Sequence, residues 1–132
     1  MLKTLATVFI LALIIANSVA QQKMQPTFVG AWEGPLVIGR DDMTMSFTFT
    51  EIDGAYSATL INGAKGIYGM PADTVRINGL NILIRIPRID LEFTGTLRLD
   101  ENEENYIRID GDWFQQSEMI PVILYPVDTA SF

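Results

Sequence analysis

The chain has no cysteine and no histidine. Without cysteine there is no disulfide and no lipidated anchor residue, so the core must be held by burial alone. Without histidine the usual general base of Ser and Cys hydrolases is missing, and with both absent so are nearly all zinc and copper ligand sets. Lysine is scarce as well. Lys23 and Lys65 are the only ones beyond Lys3, and neither stands at a Ser-x-x-Lys spacing. Ser46, Ser57, Ser117 and Ser131 lie outside any Gly-x-Ser-x-Gly context, and no glycine-rich phosphate loop occurs. Beyond the first twenty residues, no stretch repeats its apolar residues with the helical period. The inventory therefore predicts no enzyme, no catalytic residue and no cofactor.

Basic residues are outnumbered, with 9 Lys and Arg against 16 Asp and Glu and a net charge of −7. This argues against partnership with nucleic acid or an anionic membrane surface. The carboxylates suggest little chemistry. Asp41-Asp42 and the run Asp100–Asn105 are oxygen-rich, as a hard cation requires. The run lacks the glycine and terminal glutamate of an EF-hand loop, so both read as solvated turns and no metal is assigned. Glu33, Glu92, Asp110 and Asp112 fall on outward positions of expected strands, which leaves no facing pair for glycoside hydrolysis.

Residues 1–20 have the layout of a cleaved signal peptide. Lys3 gives a positive start, Leu5 to Ala16 form a short apolar run, and Ser18-Val19-Ala20 places small residues before Gln21. An uncleaved anchor is the alternative, but no stop-transfer flank follows. The expectation is export to the periplasm or the exterior, with no stable membrane anchor after cleavage.

What is present in quantity is alternation. After a lead-in over residues 21–28, Met43, Met45, Phe47 and Phe49 interleave with Thr44, Ser46, Thr48 and Thr50, giving one face for a core and one for water. Similar runs cover about 29–38, 55–61, 70–77, 80–86, 91–99, 106–114 and 120–127. Asp53-Gly54 and Asn78-Gly79 are hairpin signals between them, and 62–69 reads as a loop. In 106–114 the inward set is Ile107, Ile109, Gly111 and Trp113. The pattern predicts an all-β fold, a single antiparallel barrel of about eight strands over 29–127, with a tail at 128–132. Closing the sheet removes the exposed edges that a flat one would leave. A two-sheet sandwich is the alternative.

Gly30-Ala31-Trp32 and its echo Gly111-Asp112-Trp113 stand near the two ends of this domain and are read as its first and last staves. Gly34, Gly95 and Gly111 lie on the inner face, where either an indole covers each glycine or an apolar guest takes the space. If a pocket exists, its lining is Trp32, Gly34, Phe47, Phe93, Gly111 and Trp113. Lys65 and Tyr68, in the glycine-rich loop, are the candidate contacts for a partner protein.

Several short motifs occur in a fixed order: Gly30-x-Trp32-x-Gly34-x-Leu36, Asp53-Gly54-x-Tyr56-Ser57-Ala58-Thr59-Leu60, Gly63-Ala64-Lys65-Gly66-Ile67, Met70-Pro71, Phe93-x-Gly95-x-Leu97, Ile109-x-Gly111-x-Trp113-x-Gln115 and Pro121-Val122-x-Leu124. Together they resemble the non-catalytic β-domain that precedes the α/β-hydrolase domain in secreted bacterial serine peptidase and esterase-like proteins. Ile61-Asn62 departs from the Ser-x-x-Gln segment common there, and Tyr68-Gly69-Met70 lengthens the path to Pro71. No hydrolase domain follows within the sequence. The resemblance thus implies a free-standing accessory module whose partner is a separate, hydrolase-like protein. The Gly-x-Trp opening and the strand number are also similar to calycins, barrels that carry a small apolar ligand, which implies the alternative of a hydrophobic-ligand binder.

Overall fold

The computed structural model describes residues 27–132; the expected signal peptide and most of the lead-in lie outside them. The alternating run becomes β2 (Asp41–Ile52), in which Met43, Met45, Phe47 and Phe49 are buried. It pairs on one side with β1 (Gly30–Ile38) and on the other with β3 (Ala55–Asn62), across a turn in which Asp53 and Gly54 both take positive φ. After β4 (Ile67–Pro71) come β5 (Thr74–Asn78), β6 (Asn81–Ile86), β7 (Leu91–Leu99), β8 (Tyr106–Gln115) and β9 (Glu118–Val127). All pairings are antiparallel, in the spatial order β4-β3-β2-β1-β9-β8-β7-β6-β5. The fold is all-β, with no α-helix among the described residues: one nine-stranded sheet curled into a half-barrel. The first and last strands are neighbours, Ala31 opposite Val127.

The strand count of about eight is corrected to nine. The expected loop at 62–69 and strand at 70–77 are instead a 3₁₀ turn (Gly63–Lys65), β4 and β5. Pro71 has no N–H to continue a ladder, so the first of these strands stops there. Ala72 and Asp73 then carry the chain from one sheet edge to the other. The Ala72 N–H donates to the Ala58 carbonyl of β3 at 2.9 Å, and the Asp73 N–H to the Arg85 carbonyl of β6 at 3.0 Å. β4 escapes a period-two reading because it is bulged: Leu60 faces Met70 and Ile61 faces Tyr68, leaving Gly69 as the extra residue at φ 114°.

A second bulge corrects an inward assignment. Arg98 faces Arg108 and Leu99 faces Tyr106, so Ile107 is the unpaired residue and is exposed. Tyr106 packs against the core in its place.

The interior is filled with aromatic rings from opposite limbs of the sheet. Phe47 of β2 lies 5.2 Å from Phe93 of β7 and 6.3 Å from Trp113 of β8, between ring centroids. Phe28, at the end of the expected lead-in, is a core residue that closes one end. Its ring sits 4.9 Å from Tyr56, 5.4 Å from Phe49 and 6.3 Å from Tyr106. Its carbonyl accepts a hydrogen bond from the Trp32 indole at 2.8 Å, which fixes both residues.

Candidate functional site

The end opposite Phe28 is where the strands are joined by two matching turns. Gly63–Lys65 links β3 to β4, and Pro87–Ile89 links β6 to β7; each is a single 3₁₀ turn capped by a left-handed residue, Gly66 or Asp90. In each, the cap N–H returns to the first carbonyl, Gly66 to Gly63 at 3.1 Å and Asp90 to Pro87 at 2.9 Å. Each turn also carries one cation, Lys65 and Arg88.

Between the turns lies a half-open cavity of about 700 Å³. Its floor is apolar, made by Leu36, Leu60, Ile67, Met70 and Trp113, and its rim is polar, with Lys65, Arg88, Asp90, Gln115 and Gln116. One wall is held by a relay of hydrogen bonds. The Trp113 indole donates to Gln115 Oε1 at 3.0 Å, Gln115 Nε2 donates to the Ile89 carbonyl at 2.7 Å, and the Gln116 N–H donates to Asp90 Oδ2 at 3.2 Å. Asn62 also lines the cavity. It is 97% buried, yet its Oδ1 has no hydrogen-bond partner, and its Nδ2 reaches only the Met43 sulfur at 3.6 Å.

The expected pocket residues are distributed differently. Only Trp113 lines this cavity; Trp32, Phe47 and Phe93 belong to the filled core. The inner glycines are explained by packing, though the covering group is not an indole. The Phe93 ring occupies the space beside both Gly95 and Gly111. Gly34 instead lets β1 approach β9, since a Cβ there would overlap the Ile123 carbonyl. Lys65 and Tyr68 face different surfaces. Lys65 borders the cavity, whereas Tyr68 sits on the outside of β4, its ring 5.6 Å from Phe132. The tail is docked there: the Ser131 N–H and hydroxyl both donate to Glu33 Oε1, and the Phe132 backbone rests on Gly63. It crosses a row of outward residues in register (Glu33, Ser46, Ile61 and Tyr68), and outward-facing Ser46 is buried.

The outer face of β8 and β9 is a second notable surface. Met119, Pro121, Ile123 and Tyr125 are four successive outward residues of β9, all exposed, and Phe114 of β8 stands opposite Met119. Beside them Asp110 accepts from Arg108 Nε and Arg98 Nε, each at 2.8 Å. These bonds, Arg108's foremost, hold its carboxyl below the usual carboxylate range. Among the described residues no group of three or more carboxylates is placed to hold a metal ion. The Asp100 carboxylate instead accepts from the Glu104 N–H and the Asn105 side chain within its own turn.

The cavity and the β9 stripe escaped sequence reading for the same reason. Both are assembled from residues far apart in the chain, or from outward positions that carry no inward signal. Comparison of the chain with protein-family models, with curated proteins and with solved structures finds no match.

Proposed function

We propose that this chain is an exported, non-enzymatic interaction module, a calycin-like β-barrel domain once residues 1–20 are removed. Its outer β8–β9 face docks on a separate protein, of which a hydrolase-like one is the leading class. The observation that carries this reading is the apolar stripe Met119, Pro121, Ile123 and Tyr125, extended sideways by Phe114. On β2 the outward positions are by contrast polar, with Thr44, Thr48 and Thr50 beside Ser46, which the tail covers. An exposed apolar patch of this kind marks an interaction surface. A photo-crosslinking amino acid placed at Ile123 in the producing cells is expected to give one discrete protein adduct, and the same probe at Thr50 none. Equal labelling at both positions, or none at either, overturns the reading.

A second reading, a binder of a small apolar ligand, is favoured by the cavity between the two 3₁₀ turns. Cavities of this size are typical of small-molecule sites.

A further inference from the structure

We infer that the cavity between the 3₁₀ turns is a site for a small amphipathic anion: an aliphatic body on the floor and a carboxylate at the rim, held by Lys65 and Arg88. The inference rests on the second reading above, that the cavity takes a ligand at all.

Three independent features converge on this chemistry. The first is charge. In a protein of net charge −7, two cations are brought to one cavity by two equivalent turns from opposite limbs of the sheet. Arg85, Arg98 and Arg108 are engaged in ion pairs, whereas Lys65 and Arg88, like Arg40 and Arg76 elsewhere, have none among the described residues, and of these four only Lys65 and Arg88 border this cavity. The one carboxylate at the rim, Asp90, accepts the Gln116 N–H. Two cations against that one carboxylate leave the rim with a net positive charge, which favours an anion, most strongly where an apolar wall lowers the local dielectric.

The second is the floor. Leu60, Ile67 and Met70 offer aliphatic surface with no aromatic ring beyond Trp113. That suits a flexible hydrocarbon chain, and methionine adapts readily to irregular apolar shapes. The third is Asn62. A buried amide oxygen without a partner carries a desolvation cost, so its retention calls for an explanation. At the cavity wall it supplies a polar point for the ligand's head or for water held with it. A neutral hydrocarbon would use only the floor, and a cation would be repelled by Lys65 and Arg88.

The test is isothermal titration calorimetry of the full-length protein with decanoate, 1-decanol and decyltrimethylammonium, the two ions below their micellar concentrations and the alcohol below its solubility. Decanoate is expected to bind on the order of tenfold more tightly than decanol, a ratio equal to about 1.4 kcal/mol, and the cation not measurably. Lys65→Gln/Arg88→Gln, two exposed positions whose change leaves the thermal midpoint in place, is expected to bring decanoate down to the level of decanol. If decanoate and decanol bind equally and the double variant changes neither, the anion assignment is overturned while the apolar-ligand reading stands. If no probe binds, both fall.

Discussion

The ring of Phe93 fills the space that a side chain at Gly111 would need, its Cε2 lying 2.6 Å from where that Cβ would stand. Gly95, opposite Gly111 in the ladder, borders the same ring. The ring cannot withdraw freely, because Phe47 packs against it at 5.2 Å between centroids and Phe93 is fully buried. Gly111→Ala is therefore expected to destabilise the fold by about 1–3 kcal/mol, the range of ordinary overpacking. Chemical denaturation measures it, and Phe93→Leu in the same chain should recover part of the loss by making room.

Gly34→Ala should cost more than Gly111→Ala. The obstacle at Gly34 is the Ile123 carbonyl, which is backbone and cannot rotate away as a side chain does. The methyl must push β1 off β9, the pairing that joins the two halves of the sheet. Amide exchange should show the loss first in β1 and β9; faster exchange confined to other strands would contradict this account.

Trp32 and Phe28 stabilise the closed end in two separable ways. Trp32→Phe keeps most of the ring but removes the donor to the buried Phe28 carbonyl, at an expected cost of about 1–3 kcal/mol for an unsatisfied acceptor. Trp32→Ala also creates a cavity and should cost about 3–5 kcal/mol. Equal losses from the two variants would show that the hydrogen bond, rather than the volume, carries the effect.

Asp110 gives stability a defined pH dependence. Hydrogen bonds from Arg108 and Arg98 lower its folded-state pKa below the unfolded value of about 3.9. The unfolded chain therefore binds the proton first as pH falls. The contribution is fully present above about pH 5, and it is lost as pH drops through 3.9 toward the lower folded value. Asp110→Asn should flatten the acid limb of a stability–pH curve while leaving its slope above pH 6 unchanged.

The docked tail offers a gentler test. Phe132→Ala removes the ring packed at 5.6 Å on Tyr68, with an expected loss of about 0.5–1.5 kcal/mol, as for other aromatic pairs. Exchange of the amides flanking Ser46 should quicken, because the tail covers that row.

Much of the fold was legible because a half-buried strand writes its inner face at every second residue. Met43 through Phe49, Ile82 through Ile86 and Leu91 through Leu97 read directly as core and are buried. The hairpin at Asp53-Gly54 was legible for an equally local reason, a turn that needs positive φ at both positions. The expectation that the two Gly-x-Trp segments mark the first and last strands is corrected: Gly30–Trp32 opens β1, but Gly111–Trp113 lies in β8, and β9 runs between them.

What the sequence by itself determined was thus the class of structure, the inner residues of the regular strands, and the lack of histidine and cysteine chemistry. The bulges at Gly69 and Ile107 were settled by cross-strand register, which no single strand encodes. Phe28 became core because it follows no alternation yet meets Phe49, Tyr56 and Tyr106 once the sheet curls. Phe93, rather than an indole, covers Gly95 and Gly111 because its ring lies across the β7–β8 ladder. The cavity is the clearest case. Lys65 and Arg88 are 23 positions apart in the sequence, and only the closing of β3 and β6 toward each other through Ala72 and Asp73 places them on one rim.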